Sequence, residues 1–226
     1  EDKKQEIEIL KSISNGMVDG IIIASTFESY SEIAEEITSL PPTIFVDRKP
    51  KNCPHDIVTV ESGDSVYEGI DYLIQKGHRK IGYITADNEI STTTERLAAY
   101  KRAMIDNDLY DDSLVLMGHS MSRCVNSKLS GLLERDCTAL VAANNVLATD
   151  AMMQLLEQGI RPGVDIELLS FIDSDQAQYG LQHMNQIKQP TVALGRTTGK
   201  QMLERLHDPD FPVRQIILQS QFIPKE

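Results

Sequence analysis

Tryptophan is absent from this 226-residue chain, aromatic residues make up only 5% of it, and there are just three cysteines, Cys53, Cys124 and Cys137. Three scattered thiols cannot form a disulfide framework, and with no CxxC pair the usual zinc-ligand spacing is missing as well. None of the five histidines, His55, His78, His119, His183 and His207, stands three or four residues from another, so no helical metal pair is encoded. The odd, unpaired thiols fit a reduced, cytoplasmic setting. No apolar run approaches the roughly 18 to 20 residues that cross a bilayer, and the charged opening EDKKQEIEIL is the reverse of a secretory apolar stretch. Basic residues are scarce too. Lys and Arg number 22 against 34 Asp and Glu, for a formal net charge of −12. A chain that grips many phosphates needs a basic face, so this balance argues against direct nucleic-acid binding by the segment itself.

Catalytic signatures are missing in the same way. There is no GxxxxGK[ST] phosphate loop and no GxGxxG. Gly118-His119-Ser120-Met121-Ser122 approaches a nucleophile elbow, but serine replaces the second glycine and would obstruct the tight turn; it reads as a polar loop after a strand. Asp173-Ser174-Asp175 is too common a pattern to indicate a metal. The expectation is a protein that is not an enzyme and carries no cofactor or metal.

What is present is 41% hydrophobic and 25% charged residue content, typical of a globular chain, and an apolar rhythm that alternates between helical and strand spacing, as in a βαβ chain with parallel sheets. Helices are expected over Glu6 to Ile13, Ser31 to Leu40, Gly63 to Lys76, Thr93 to Asn107, Arg123 to Leu133, Val146 to Gln158 and Thr191 to Leu206. Strands are expected over Val18 to Ala24, Thr43 to Val46, Ile57 to Val60, Lys80 to Ile84, Thr138 to Ala142, Glu167 to Phe171, Met184 to Lys188, Arg214 to Leu218 and Gln221 to Ile223.

In open α/β sheets ligands bind beyond the carboxyl ends of the strands. Here those ends lead into Asp47-Arg48, into Thr85 to Thr94 followed by Arg96, into Asn144-Asn145, into Asp173 and into Gln189. A guanidinium fork, amides and a carboxylate converging on one cleft suit a polyhydroxylated ligand, whose hydroxyls both donate and accept. Each also has a structural alternative: Arg96 can serve a helix end, and Asn144 can cap the helix that starts near Val146.

Several blocks in fixed order resemble the effector-binding core of the LacI/GalR family of transcription regulators. The most specific runs from Tyr72 to Tyr83, inside DYLIQKGHRKIGYI. VDGIII (Val18 to Ile23), IFVDR (Ile44 to Arg48), RLAAYKRAM (Arg96 to Met104), AANNVLATDAM (Ala142 to Met152) and IKQPTVALGRTTGKQML (Ile187 to Leu203) complete the series. The resemblance implies an α/β, periplasmic-binding-protein-like fold of two lobes joined by three crossovers, with each lobe a parallel sheet flanked by helices. The N-terminal lobe would take residues 1 to 62 plus 190 to 212, and the C-terminal lobe 63 to 189 plus 213 to 226. The family's DNA-binding headpiece and the first strand-helix-strand of its N-lobe have no counterpart in this sequence. By motif position the family's effector contacts fall on Arg96, Asn144, Asp173 and Gln189; Arg48 and Thr92 stand where relatives place pocket-wall residues, and Ser120 is a further candidate.

Departures from the family pattern are local. Ser170-Phe171-Ile172-Asp173-Ser174 keeps the first of two usual acidic residues, Ala143-Asn144-Asn145 keeps the amide and neutralises the acid, and Gln182 to Gln186 replaces the usual PxLTT. The resemblance implies a sugar or sugar phosphate closing the lobes of a homodimer, and so altering how headpieces outside this segment bind operator DNA. The alternative from another class is a solute-binding receptor that feeds a sugar transporter.

Overall fold

A computed structural model describes residues 2–14, 16–118, 129–171 and 184–225. The chain divides into two compact units, each built on its own sheet. The first comprises Glu1–Glu61, Glu89–Thr92 and Pro190–Gln219; the second comprises Ser62–Asn88, Thr93–Gln189 and Ser220–Glu226.

In the first unit, helix α1 (Lys3–Ile13) begins where Asp2 accepts hydrogen bonds from the Lys4 and Gln5 amides, a standard way to satisfy free N–H groups at a helix start. It buries Ile7 and Leu10. Strand β1 (Ile21–Ile23) follows, then helix α2 (Tyr30–Glu36), opened by a reciprocal capping box between Ser29 and Glu32. Strands β2 (Thr43–Val46) and β3 (Asp56–Glu61) complete the first pass through this sheet. Strand β1 is shorter than the expected Val18 to Ala24, and α2 stops before the expected Leu40. Ile37 there adopts extended backbone (φ −135°) and is buried.

The second unit contains α3 (Gly63–Gln75), β4 (Ile81–Ala86), most of α4 (Ser91–Asp106), β5 (Val115–Gly118), β6 (Ala139–Ala142), α5 (Asn145–Glu157), β7 (Glu167–Phe171) and β8 (Asn185–Lys188). Helix α6 (Thr191–His207) and β9 (Gln215–Gln219) return to the first unit, and β10 (Gln221–Ile223) closes the second. The strand orders are β1-β2-β3-β9 and β10-β8-β7-β6-β4-β5. Among the described residues the strands pair in parallel except β10 on β8, where Phe222 stands opposite Ile187. The last crossover, expected between residues 212 and 213, falls after Gln219, because Gln215 to Gln219 pairs along β3 in register with Ile57 to Glu61. An alternating strand looks the same in either sheet, so its sequence could not choose between them.

Both cores follow from the apolar rhythm. Val66, Ile70 and Leu73 of α3 pack with Ile81, Tyr83, Val141 and Leu169 in the second unit. Gly69 makes that contact possible, since a β-carbon there would lie 2.7 Å from Leu169 Cδ2 and 3.1 Å from Phe222 Cδ2. In the first unit Ile7, Ile21, Ile33, Phe45 and Ile57 fill one side of the sheet, while Ile44, Val58 and Met202 fill the other.

One buried ion pair ties the separate segments of the first unit together. Arg205 of α6 donates from Nε to Asp56 Oδ2 at 2.9 Å and from Nη2 to Asp56 Oδ1 at 3.0 Å. Its Nη1 also donates to the carbonyls of Pro209, at 2.9 Å, and Phe211. The Arg214 amide adds a bond to Asp56 Oδ1 at 2.8 Å. Burial pushes the Asp56 carboxyl up, but Arg205 and the Arg214 amide outweigh it and hold the carboxyl below its usual range. A carboxyl with a depressed folded pKa stabilises the fold above its unfolded value of about 4, and loses that contribution as pH falls through the lower folded value. Asp56→Ala strands the buried guanidinium without its anion and is expected to cost about 3 to 5 kcal/mol, read as a lower urea midpoint. The gap between wild type and Asp56→Asn should narrow as the solution is acidified below pH of about 4; a gap independent of pH would contradict the ion pair.

Candidate functional site

Each unit gathers polar groups at the carboxyl ends of its strands. In the first, β2 ends in Asp47, whose left-handed backbone (φ 65°) turns the chain sharply while its amide still bonds the Val58 carbonyl at 2.9 Å. That turn presents Arg48, which is half-buried and donates from Nη1 to the Ser25 carbonyl at 3.3 Å. The loop beyond β1 is fixed from the side. Glu6 of α1 accepts from Ser25 Oγ at 2.6 Å, from the Thr26 amide at 2.7 Å and from Thr26 Oγ1 at 2.6 Å. Thr92 lies in the first turn of α4, in the part assigned to this unit, beside Ser91, whose Oγ accepts from the Lys49 amide at 2.9 Å. Arg48 and Thr92 therefore come together on one rim.

In the second unit Arg96 reaches from α4 across the ends of β6 and β7. It is 7% exposed, donates from Nη1 to the Ala143 carbonyl at 2.7 Å, and lays its guanidinium carbon 3.6 Å from the Phe171 ring centroid. Such stacking holds the planar fork in a fixed orientation. Asn144 is adjacent. It N-caps α5, with Oδ1 accepting from the Leu147 amide at 2.9 Å. Among the described residues its Nδ2 makes no hydrogen bond, so one side chain both starts a helix and keeps a donor in hand. Ser170 Oγ donates at 3.1 Å to the carbonyls of Ala142 and Asn144, locking this strand end. Gln189 is half-buried directly after β8. Asp173 and Ser120 lie outside the described residues.

Two contributors were not anticipated from sequence. Phe171, the platform under Arg96, stood only two residues before Asp173, and an aromatic ending a strand ahead of an acidic loop is a usable signal. Glu6 carried no signal, because its partners Ser25 and Thr26 are brought to it only by folding. Burial pushes the Cys53 and Cys137 thiols up to about 11, away from the reactive thiolate form. No group of three or more metal-binding side chains occurs among the described residues, and no described helix is long and apolar enough to cross a membrane.

With that geometry in place, comparison with known proteins identifies the family. The model of the periplasmic binding protein-like domain matches residues 70–226. The chain is 26% identical over 231 residues to the HTH-type transcriptional repressor PurR of Aliivibrio fischeri, covering 99% of this chain and 68% of that protein. It is 28% identical over 209 residues to the HTH-type transcriptional regulator DegA of Bacillus subtilis, covering 88% of this chain and 62% of that one. Among solved structures, a LacI family transcriptional regulator from Enterococcus faecium with bound ribose superposes with a TM-score of 0.86 at 25% identity, over 96% of this chain and 82% of that chain. The chain belongs to the periplasmic-binding-protein-like domain family, in the form that serves as the effector-binding core of LacI/GalR-type transcription regulators. Relatives so named are regulators rather than enzymes.

The two duties of Asn144 can be separated. Asn144→Ala removes the cap and is expected to cost about 1 kcal/mol of stability, whereas Asn144→Asp keeps a capping oxygen and should leave the melting temperature close to wild type. An alanine variant as stable as wild type would contradict the cap.

Proposed function

We propose that this chain senses a small sugar or sugar phosphate, with Arg96, Asp173, Asn144 and Gln189 as its contacts, Arg48 and Thr92 as wall residues and Ser120 as a further candidate. The observation that carries this reading is the Arg96 fork, buried, stacked on Phe171 and anchored to the Ala143 carbonyl beside the free amide of Asn144. A fixed fork and an amide donor match oxygen-rich ligands, and orienting them before binding lowers the entropic cost of capture. The ribose bound to the Enterococcus faecium regulator supports the same class of ligand.

Regulation then requires that the effector bind one arrangement of the two units more tightly than another, because equal affinity for both shifts nothing. In this reading the protein acts in the cytoplasm as a homodimer, and the favoured arrangement sets how well operator DNA is bound through a headpiece outside residues 1 to 226. The acidic charge of the chain agrees with leaving the DNA contacts to another segment. A transporter's solute-binding receptor is not favoured, since the matched relatives carry regulator and repressor names.

A thermal-shift screen tests the reading, with neutral sugars, sugar phosphates and nucleobases applied to wild type and Arg96→Lys. A ligand that binds only the folded protein raises the melting temperature with its concentration. At a ligand concentration near 100 times Kd the expected stabilisation is about 2.7 kcal/mol, and it should be largely lost in Arg96→Lys, whose point charge cannot reproduce the planar fork. A shift confined to nucleobases would replace the sugar reading. A shift retained in Arg96→Lys would remove Arg96 from the site.

A further inference from the structure

The core of the second unit holds a polar group that packing alone does not account for. Tyr83 of β4 is 1% exposed and stacks its ring on Tyr100 of α4, with centroids 4.6 Å apart and planes 28° from parallel. The two phenols fare differently. Tyr100 donates its hydroxyl to the Ile81 carbonyl at 2.8 Å, whereas the Tyr83 hydroxyl is buried and bonds to none of the described residues. A phenylalanine would fill the same space and keep the same stack. The hydroxyl is therefore a net cost to the free protein, because it has given up its bonds to water and gained none in return.

Its position ties it to Arg96. Tyr100, the ring that covers Tyr83, stands four residues after Arg96 on α4 and so lies one turn along the same face of the helix. On the sheet, Tyr83 is opposite Val141 of β6. Two residues beyond Val141, the Ala143 carbonyl anchors Arg96 Nη1, and the Ala143 amide donates to the Ile84 carbonyl at 2.9 Å. Phenol and guanidinium thus approach one end of one core from adjacent steps of β4 and α4. Electrostatics agrees: burial pushes the Tyr83 phenol up, and the positive charge of Arg96 opposes that push.

We infer that Tyr83 is a positioning residue for Arg96, its hydroxyl oxygen being the acceptor on which the inner edge of the guanidinium settles when an effector engages the outer edge. Arginine carries five N–H donors and no acceptor, so each donor turned into the protein needs an oxygen. The Tyr83 oxygen is already desolvated and has no other bond to break. Stacking on Phe171 fixes the plane of the guanidinium, and a shift within that plane brings an inner N–H to the phenol. The unpaired hydroxyl burdens the free state and not the bound one, and a difference of that kind between two states adds to the affinity for whatever ligand orders the fork. The inference rests on the reading of Arg96 as an effector contact and does not depend on which oxygen-rich ligand is bound.

Tyr83→Phe separates this role from a purely structural one. The free variant is expected to melt at or above wild type, since the ring stack remains and the unpaired hydroxyl goes. Calorimetric titration then uses the neutral sugars, sugar phosphates and nucleobases of the thermal-shift panel as probes, D-ribose first. Whichever probe binds wild type should bind Tyr83→Phe about tenfold more weakly, as expected for losing a hydrogen bond to a charged group. In protein isotope-labelled at tyrosine Cζ, the resonance that disappears in Tyr83→Phe should move when that probe is added to wild type. Equal affinity in the two proteins, or a Tyr83 resonance that ignores a bound probe, overturns the inference and leaves Arg96 as an effector contact. A free variant that melts below wild type overturns it as well, since the hydroxyl would then already have a partner. A wild type that binds no probe overturns the effector reading and this inference with it.

Discussion

The Asp56–Arg205 pair is the constraint on which the first unit depends. Its sheet and helices come from three stretches of chain, and the pair joins residues 149 positions apart, with the Arg214 amide as a third member. Hydrophobic packing is tolerant of sliding, whereas a two-pronged guanidinium–carboxylate contact with both partners buried is not. Holding Arg205 against Asp56 sets how far α6 extends over β2 and β3. It also fixes the loop from Pro209 to Pro212, and so delivers β9 to the edge of β3 in a single register.

Much of this architecture was readable in the sequence because it rests on local rules. The Thr43–Val46, Glu167–Phe171 and Gln221–Ile223 strands have the bounds their apolar runs suggest, and the helix through Val66, Ile70 and Leu73 forms where that spacing recurs. What was not readable depends on distant partners. Gln215–Gln219 joins the first sheet because β3 offers a free edge, and nothing in QIILQ announces that. The ordered motif blocks pointed to Arg96 and Asn144. The cap made by Asn144 is local and was open to sequence reasoning, whereas the ring beneath Arg96 emerged only from packing, since Phe171 is brought to it from a distant stretch of chain.

The effector end of the second unit is economical in its chemistry. Arg96 carries the charge, but its carbonyl contact and its seat on Phe171 prevent it from sweeping through solvent as a surface arginine does. Burial keeps the Cys53 and Cys137 thiols protonated. In the proposed reading, recognition by hydrogen-bond geometry lets relatives with modest identity share a frame and differ in ligand. Single substitutions at strand ends alter the pattern of donors and acceptors without touching the cores that hold it in place.

The three hydrogen bonds that Glu6 accepts give α1 a mechanical role. They join a helix on the flank of the sheet to the loop at its rim, and the Ser25 carbonyl in that loop is where Arg48 is moored. Glu6 thus braces the loop that carries the Ser25 carbonyl from the flank of the sheet, so the position of Arg48 is tied to α1 by hydrogen bonds that bypass the strands.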